Sequence, residues 1–237
     1  MAITRLTLTN IAAECRRHIG EATASRSHIS STATDSTNLY LLINRITQQL
    51  PKRLGEIARA EGRPTKDGNI YMDCWRTPLT ALSGGAAGSQ VLYLPADYGH
   101  YIDFYDNTGT KRLHVVENVG KWHVSDLKLA TAAATPKFIE IMGFESVSGS
   151  WLRRVRVYPG PTGAVTPSAS VEYWRIPVAM DATAPDTSYP DIDLVFQDVI
   201  VYGAVLELMR KDDPMYSRFA DKEKDLLADM AYSARAA

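Results

Sequence analysis

The stretch VLYLPADYGHYIDFY, residues 91–105, decides the fold. Two short runs rich in apolar and aromatic residues, Val91–Leu94 and His100–Tyr105, lie on either side of a Pro-x-Asp-Tyr sequence. This pattern predicts two β-strands joined by a turn, because β-branched and aromatic residues favour strands and proline and aspartate favour turns. The histidine, aspartates and tyrosines of this stretch therefore form either a catalytic pocket or the wall of a sheet.

Short segments rich in strand-forming residues continue on both sides of this stretch, from Gly62 to about Ile176. Turn residues separate the apolar runs, and no helical pattern lies between them, which is typical of an antiparallel sandwich or small barrel. The predicted strands are Asn69–Arg76, Gln90–Leu94, His100–Tyr105, Lys111–Glu117, Lys137–Met142, Leu152–Tyr158 and Ala169–Ile176.

The two ends of the chain show helical spacing instead. Apolar residues recur every three or four positions from Leu6 to Gly20 and from Leu39 to Ile57, and Pro51 predicts a kink or break in the second helix. The helical period returns at Asp191, and Asp213 followed by proline predicts the start of a last helix.

These patterns predict an α+β protein in which the N- and C-terminal helices form one helical bundle. Neither pair of helices buries its apolar stripe alone, so the four helices are expected to pack together. The predicted helical domain comprises residues 1–62 plus 190–237, and residues 63–189 form an inserted antiparallel β-sandwich or barrel domain.

Composition excludes several classes of function. The chain has 237 residues and a formal net charge of −1, so no global basic field attracts nucleic acid or acidic membranes. Its two cysteines lack C-x-x-C spacing, and no apolar run is long enough to span a bilayer. The N-terminus lacks the apolar region of a signal peptide, which favours a protein made and kept in a cytoplasm.

No enzymatic motif stands out in the sequence. Nucleophile-elbow, phosphate-loop and dinucleotide-binding signatures are absent, and the glycine-rich run Gly84–Gly88 is typical of a hairpin tip. His100 and His114 fall in neighbouring predicted strands and could be cross-strand partners, but no third metal ligand accompanies them. We therefore expect no enzyme, no catalytic residue, no cofactor and no metal.

Two groups of polar residues admit a functional interpretation beside a structural one. Asp97 and Asp103 could serve a glycosidase, with Tyr101 or Trp122 stacking on a sugar. The structural interpretation is that Asp97, near proline, and Asp106, beside Asn-x-Gly, are turn residues and that the tyrosines belong to the wall of a sheet. The basic run Arg153–Arg156 next to Trp151 could contact phosphate or form a solvated strand edge. Strand alternation puts Arg154 and Arg156 on one face and Arg153 on the other.

The order of four segments carries a family resemblance. They are NLYLLINRITQQLPKRL at 38–54, VLYLPADYGHYIDFY at 91–105, RVRVYPGPTGAVTPSASVEYWRIP at 154–177, and YPDIDLVFQDVIVYGAVLELMRKDDPMYSRFADKEKDLLADM at 189–230. In this order they resemble the head-to-tail adaptor proteins of tailed bacteriophages, of the tail tubular protein A type.

The resemblance implies a structural virion protein that forms a dodecameric ring between portal and tail and lines the DNA channel. The implied partners are the portal protein, a tail nozzle or other tail protein, other copies of the chain, and DNA passing without sequence-specific binding, with no membrane. The implied location is the neck or tail of the virion, assembled in the host bacterial cytoplasm. The candidate interface residues are Tyr98, Tyr101, Trp151, Arg154, Arg156, Tyr216, Arg218 and Phe219.

Two alternatives accompany this expectation. One is a tail-associated glycan-binding or glycan-hydrolysing protein that uses Asp97 or Asp103. The other is a tail-completion or capsid-stabilising protein at a different position in the virion.

Overall fold

The computed structural model describes residues 5–23, 36–84, 89–106, 109–116, 136–158 and 168–234. The chain divides into two compact units, one made of Met1–Trp75 with Ile176–Ala237 and one made of Arg76–Arg175. Residues 63–75 and 176–189, which the sequence prediction put with the β-domain, are part of the first unit.

The first unit contains helices from both ends of the chain: α1 (Leu8–Thr23), α2 (Ser36–Ala60), α3 (Asp198–Leu208) and α4 (Tyr216–Ser233). The helix α3 contacts the other three. One apolar core joins them, as predicted, and includes Leu8, Leu39, Ile200 and Met230. The helical bundle of the predicted fold class is thereby confirmed.

The helix α3 is buried on most of its sides rather than along one stripe. A helix that is apolar all round is typical of a central position in a core. Its buried residues are Val199, Ile200, Val201, Gly203, Ala204 and Val205.

Two sequence signals in the helices have different outcomes. The α2 helix runs without a break through Pro51, and the nearby Leu50 and Leu54 are both fully buried in the core. The predicted last helix is present but begins later than the sequence signal at Asp213: α4 starts at Tyr216, and Asp213 Oδ1 accepts a hydrogen bond from the Met215 amide at 2.8 Å in the turn before it.

The described residues of the second unit form seven strands in two sheets. The strands are β1 (Arg76–Ala81), β2 (Val91–Tyr93), β3 (Tyr98–Asp106), β4 (His114–Val116), β5 (Phe138–Val147), β6 (Ser150–Tyr158) and β7 (Ala169–Arg175). The sheet orders are β1-β7-β3 and β2-β6-β5-β4. All pairs are antiparallel except β4–β5, which is parallel.

A single core joins the two sheets, with Phe104, Val171 and Tyr173 from one sheet and Ile139 and Val155 from the other. This is the predicted sandwich, and the α+β class is confirmed. The parallel β4–β5 pair departs from the prediction of a wholly antiparallel unit. Residues 117–137 join these strands, and a parallel crossover requires a connection of about a dozen residues or more.

The first predicted strand, Asn69–Arg76, is wrong. Met72 and Trp75 are buried in the helical core, Asp73–Trp75 forms a 3₁₀ turn, and the Trp75 indole donates to the Asp191 carbonyl at 2.5 Å. The β-prone residues of this segment pack on helices, and strand β1 begins only at Arg76.

Candidate functional site

The tyrosines of the opening stretch lie in the wall of the sandwich. Tyr98 and Tyr101 pack against the β core, and the Tyr98 hydroxyl accepts a hydrogen bond from the Tyr101 amide at 3.0 Å. Their rings are neighbours of Tyr173 at 5.9 Å and Phe104 at 5.3 Å, respectively. Both tyrosines are partly buried, so only part of each ring is exposed to a partner.

The carboxylates of the same stretch have structural partners. The Tyr173 hydroxyl donates to Asp97 Oδ1 at 2.8 Å, and burial, together with this bond, raises the pKa of Tyr173 to about 12. Asp103 forms an ion pair with Arg112 at 3.2 Å. Trp122 lies outside the described residues. These contacts give the glycan-hydrolysing alternative no support.

His100 and His114 are not cross-strand partners. His100 pairs with Trp174 in the three-stranded sheet, whereas His114 pairs with Phe138 in the four-stranded sheet. Each histidine lies against an aromatic ring, Tyr101 for the first and Phe138 for the second. Within the described ranges, no group of three or more His, Cys, Asp or Glu side chains is placed to hold a metal ion.

Neither of the two cysteines forms a disulfide bond. Cys15 is fully buried in the helical core, and Cys74 is partly buried. Burial raises the pKa of the Cys15 thiol to about 12, so that thiol stays neutral near pH 7.

The arginines Arg154 and Arg156 lie on the outer face of the four-stranded sheet, opposite the buried Val155 and Val157. Arg154 pairs with Glu145 at 3.5 Å. Arg156 donates to the Tyr158 hydroxyl at 3.5 Å, which in turn donates to Glu140 at 2.8 Å. The two guanidinium groups therefore belong to a mixed-charge surface rather than to a phosphate-binding patch.

Among the described residues of the β unit, the most exposed aromatic side chains lie near the end of the hairpin β5–β6. Trp151 is 71% exposed and Phe144 is 62% exposed. One extra residue in β5 between Ile141 and Phe144 brings Phe144 opposite Arg153, whose guanidinium lies 5.8 Å from the Phe144 ring centre. Strand alternation puts Phe144, Trp151 and Arg153 on one face, and we call these three residues the tip surface.

Backbone pairing leaves this tip without lateral neighbours among the described residues. Strand β2 reaches the backbone of Arg153 through the Leu94 amide, and β4 reaches Glu140. The β5–β6 residues beyond these points pair only with each other in the part of the chain that the structure describes. A two-stranded ribbon of this kind is marginal by itself in water, which favours packing on a partner.

The candidate residues of the last helix differ in exposure. Arg218 is exposed and Tyr216 is partly buried against the helical core. Phe219 is only 2% exposed, with its ring 5.2 Å from His18 and 5.9 Å from Tyr202. Phe219 is therefore a core residue, and its assignment as an interface residue is corrected.

A second exposed apolar surface lies in the helical unit, in the segment before α3. Val178, Leu194 and Val195 are 48%, 42% and 58% exposed, and the Val178 amide donates to Asp191 Oδ2 at 3.3 Å, which joins the two ends of this segment. Asp193 is exposed beside Leu194. We call Val178, Asp193, Leu194 and Val195 the Asp193 surface.

Sequence reasoning missed the Asp193 surface and Phe144. Leu194 and Val195 fitted the apolar stripe of the following helix, but they precede α3 in a short 3₁₀ turn that points them outward. For Phe144, the signal was the small and polar run from Glu145 to Ser150, which marks a hairpin end with no core to cover the ring.

Comparison with known proteins decides the family. The sequence profile of the SU10 adaptor protein family matches residues 7–237, which includes both units. The chain belongs to the SU10 adaptor protein family. It is accordingly a phage adaptor-type protein, which confirms the predicted class but not the likeness to tail tubular protein A in particular. No curated protein matches the chain.

Membership of the SU10 adaptor protein family is consistent with a structural rather than an enzymatic role. None of the helices among the described residues combines the length and the apolar character needed to cross a membrane.

Proposed function

We propose that this SU10 adaptor family member is the head-to-tail adaptor of its virion, a dodecameric ring between the portal and the tail. The observation that carries the proposal is the family match over residues 7–237, since it covers both the helical unit and the β unit. The ring assembles on the portal in the host bacterial cytoplasm and binds a tail nozzle or another tail protein on its other side.

Two exposed surfaces support a role in assembly. The tip surface and the Asp193 surface both carry large apolar side chains in water, and contiguous exposed apolar groups mark interaction sites more often than isolated ones do. They lie in different units of the chain, so the subunit offers more than one contact surface. A ring component needs this because it contacts two neighbours.

The proposed ring encloses a channel for DNA, and the net charge of the chain is compatible with that role. A net charge of −1 provides no strong attraction for the phosphate backbone, whose contacts with lysine and arginine dominate DNA affinity. Double-stranded DNA then passes through the ring without being held and without sequence-specific contacts.

Cryo-electron microscopy of the chain mixed with its cognate portal protein tests the proposal. We expect a ring of adaptor subunits on one end of the portal, and native mass spectrometry of the same sample should give the copy number. A portal that stays bare with the adaptor at about 10 µM, the range in which specific contacts of ordinary size are saturated, would contradict the proposal.

A further inference from the structure

We propose that the tip surface of one subunit packs against the Asp193 surface of the next subunit in the ring. This inference rests on the proposed ring function and specifies which residues close it. The occupant of each surface is therefore a second copy of the same chain.

The tip surface offers two aromatic rings and one positive charge. Phe144 and Trp151 are the most exposed phenylalanine and tryptophan among the described residues, and Arg153 lies opposite Phe144 and two residues from Trp151 on the same strand. Arg153 contacts the Phe144 ring and the Met142 carbonyl, and it forms no ion pair with any described residue. The guanidinium is thus available to a carboxylate from outside.

The Asp193 surface offers the complement. From residue 176 to residue 209 the sequence contains no lysine, arginine or histidine. The aspartates of this region up to the first turn of α3 are Asp181, Asp186, Asp191, Asp193 and Asp198. Asp193 is exposed between apolar neighbours and pairs with no described basic residue.

One basic side chain does approach this segment from elsewhere in the helical unit. Arg5 donates to the Pro190 carbonyl at 3.0 Å and lies 5.1 Å from the Tyr189 ring centre. Arg5 is thereby engaged at Tyr189 and Pro190, and we assign it no role in the contact.

Complementarity between two surfaces of one chain points to a second copy. Arginine and aromatic side chains are enriched at the centres of protein interfaces, and an exposed aspartate beside valine and leucine complements an arginine beside two aromatic rings in charge and apolar character. Each copy carries one tip surface and one Asp193 surface, so the contact is head-to-tail. Head-to-tail contacts produce rings when the rotation closes. A portal or tail protein bound at the tip would leave the Asp193 surface of every copy exposed.

Charge exchange tests the pairing directly. Arg153→Glu and Asp193→Arg should each weaken self-association about tenfold or more, because each places like charges face to face. An equal mixture of the two variants restores assembly, since each variant then meets its complement in the other. Lys224→Glu and Glu56→Arg, charge reversals at exposed helix positions, are the controls and should leave assembly unchanged.

Chain termination tests the head-to-tail geometry. Trp151→Asp blocks one surface and Val195→Asp blocks the other, so a mixture of these two variants retains one intact contact per pair and stops at dimers. Tyr232→Asp and Leu41→Asp are matched controls, because these side chains are 68% and 61% exposed on α4 and α2. Circular dichroism and thermal unfolding establish that every variant is folded.

All variants are measured by native mass spectrometry at about 50 µM, alone and with the cognate portal added. The expected result is that wild type and controls form rings either alone or with the portal, while the mixture of Trp151→Asp and Val195→Asp yields dimers.

Rings formed by Arg153→Glu alone or by Trp151→Asp alone would overturn the inference and leave the adaptor function standing. Loss of portal binding with unchanged self-association would assign the tip to the portal and also overturn it. A wild type that is monomeric both alone and with the portal would contradict this inference and the proposed ring together.

Discussion

Gly55 lies where the turn Lys66–Asn69 crosses helix α2. The Ile70 amide donates to the Pro51 carbonyl at 2.9 Å and fixes this turn on the helix. A Cβ atom at Gly55 would overlap the Gly68 carbonyl group and lie 2.8 Å from the Asn69 Cα, so both obstacles are backbone. The absence of a side chain at Gly55 therefore permits the turn to pack on the helix.

We predict that Gly55→Ala destabilises the protein by about 1–3 kcal/mol, the usual cost of overpacking, despite the better helix propensity of alanine. Gly20→Ala is the matched control, since Gly20 also lies in a helix and a Cβ atom added there would meet no other atom within 4 Å. Urea unfolding should show the control unchanged or stabilised by up to about 1 kcal/mol. Equal effects of the two changes would contradict the close approach.

The Arg53–Glu223 pair is the charged contact of the helical core. Its atoms Nη1 and Oε1 are 2.6 Å apart, and Glu223 is 7% exposed. A Cβ at Gly203 would lie 2.6 Å from Arg53 and 2.8 Å from Glu223, so the glycine makes room for the pair. Burial raises the pKa of Glu223, although Arg53 acts in the opposite direction.

We predict that Arg53→Met destabilises the protein by about 3–5 kcal/mol at pH 7, because it leaves a buried carboxylate without its partner. The folded-state pKa of Glu223 is already raised and rises further without Arg53, so protonation of Glu223 is favoured by folding. The loss of folding stability in Arg53→Met is therefore complete above the folded-state pKa of Glu223 and diminishes as the pH falls through that pKa. Unfolding curves from pH 4 to pH 8 measure this, and a loss that does not depend on pH would contradict it.

The double change Arg53→Met with Glu223→Leu is the companion variant. Replacing a buried ion pair by apolar side chains of similar size is often neutral or stabilising, so most of the lost stability should return. Continued instability of the double variant would show that the pair acts through packing rather than charge.

At the scale of elements, the β5–β6 hairpin depends on its two turn residues. Ser148 has φ 51° and Gly149 has φ 84°, the left-handed values of a two-residue type I′ turn. We predict that Gly149→Ala destabilises the hairpin by about 1–2 kcal/mol through its backbone alone, since no neighbouring atom lies within 4 Å. Amide exchange of residues 144–152 should accelerate by roughly five- to thirtyfold.

Gly143→Ala is the control for that change, because Gly143 lies in the same hairpin, has open space around it and is not at positive φ. Alanine there should leave the exchange rate unchanged or slow it, since glycine weakens a strand interior. Faster exchange in both variants would mean that the loss of glycine itself, rather than the turn geometry, matters.

The sequence predicted most elements, and its misses have physical causes. Helices and six strands follow from periodicity because their apolar residues recur at the spacing of a helix or of a strand. The segment Asn69–Arg76 has strand propensity, yet Met72 and Trp75 gain more by filling the helical core. Strand β1 was not among the predicted strands; it contains Pro78 and is an edge strand with an irregular register, where proline is tolerated.

The candidate contact residues were predicted less well than the fold. Aromatic residues such as Phe219 and Trp151 look alike in sequence, whereas one is 2% and the other 71% exposed. The difference comes from tertiary position: Phe219 faces α1 and α3 in the bundle, and Trp151 lies beyond the end of the sandwich core. Local pattern does not contain this information.

At the scale of the whole molecule, the two units have separate cores. Ile200 is fully buried in the helical core and Ile139 in the β core. We predict that Ile200→Ala, a core truncation that typically costs about 2–5 kcal/mol, accelerates amide exchange in α1–α4 but not in β5–β7. Ile139→Ala should give the reverse pattern. Exchange that accelerates equally across both units after either change would show a single cooperative unit.

The late position of α3 in the chain has a consequence for how the protein is made. The Cys15 thiol meets the Val201 carbonyl, a contact that spans 186 positions. At a bacterial translation rate of about 5–20 residues per second, α1 leaves the ribosome roughly 10–40 seconds before its partner helix exists. The strands, which are synthesised in between, can complete their own sandwich meanwhile. Nascent chains that end before α3 should therefore contain a folded β unit and two amphipathic helices, α1 and α2, to which chaperones bind.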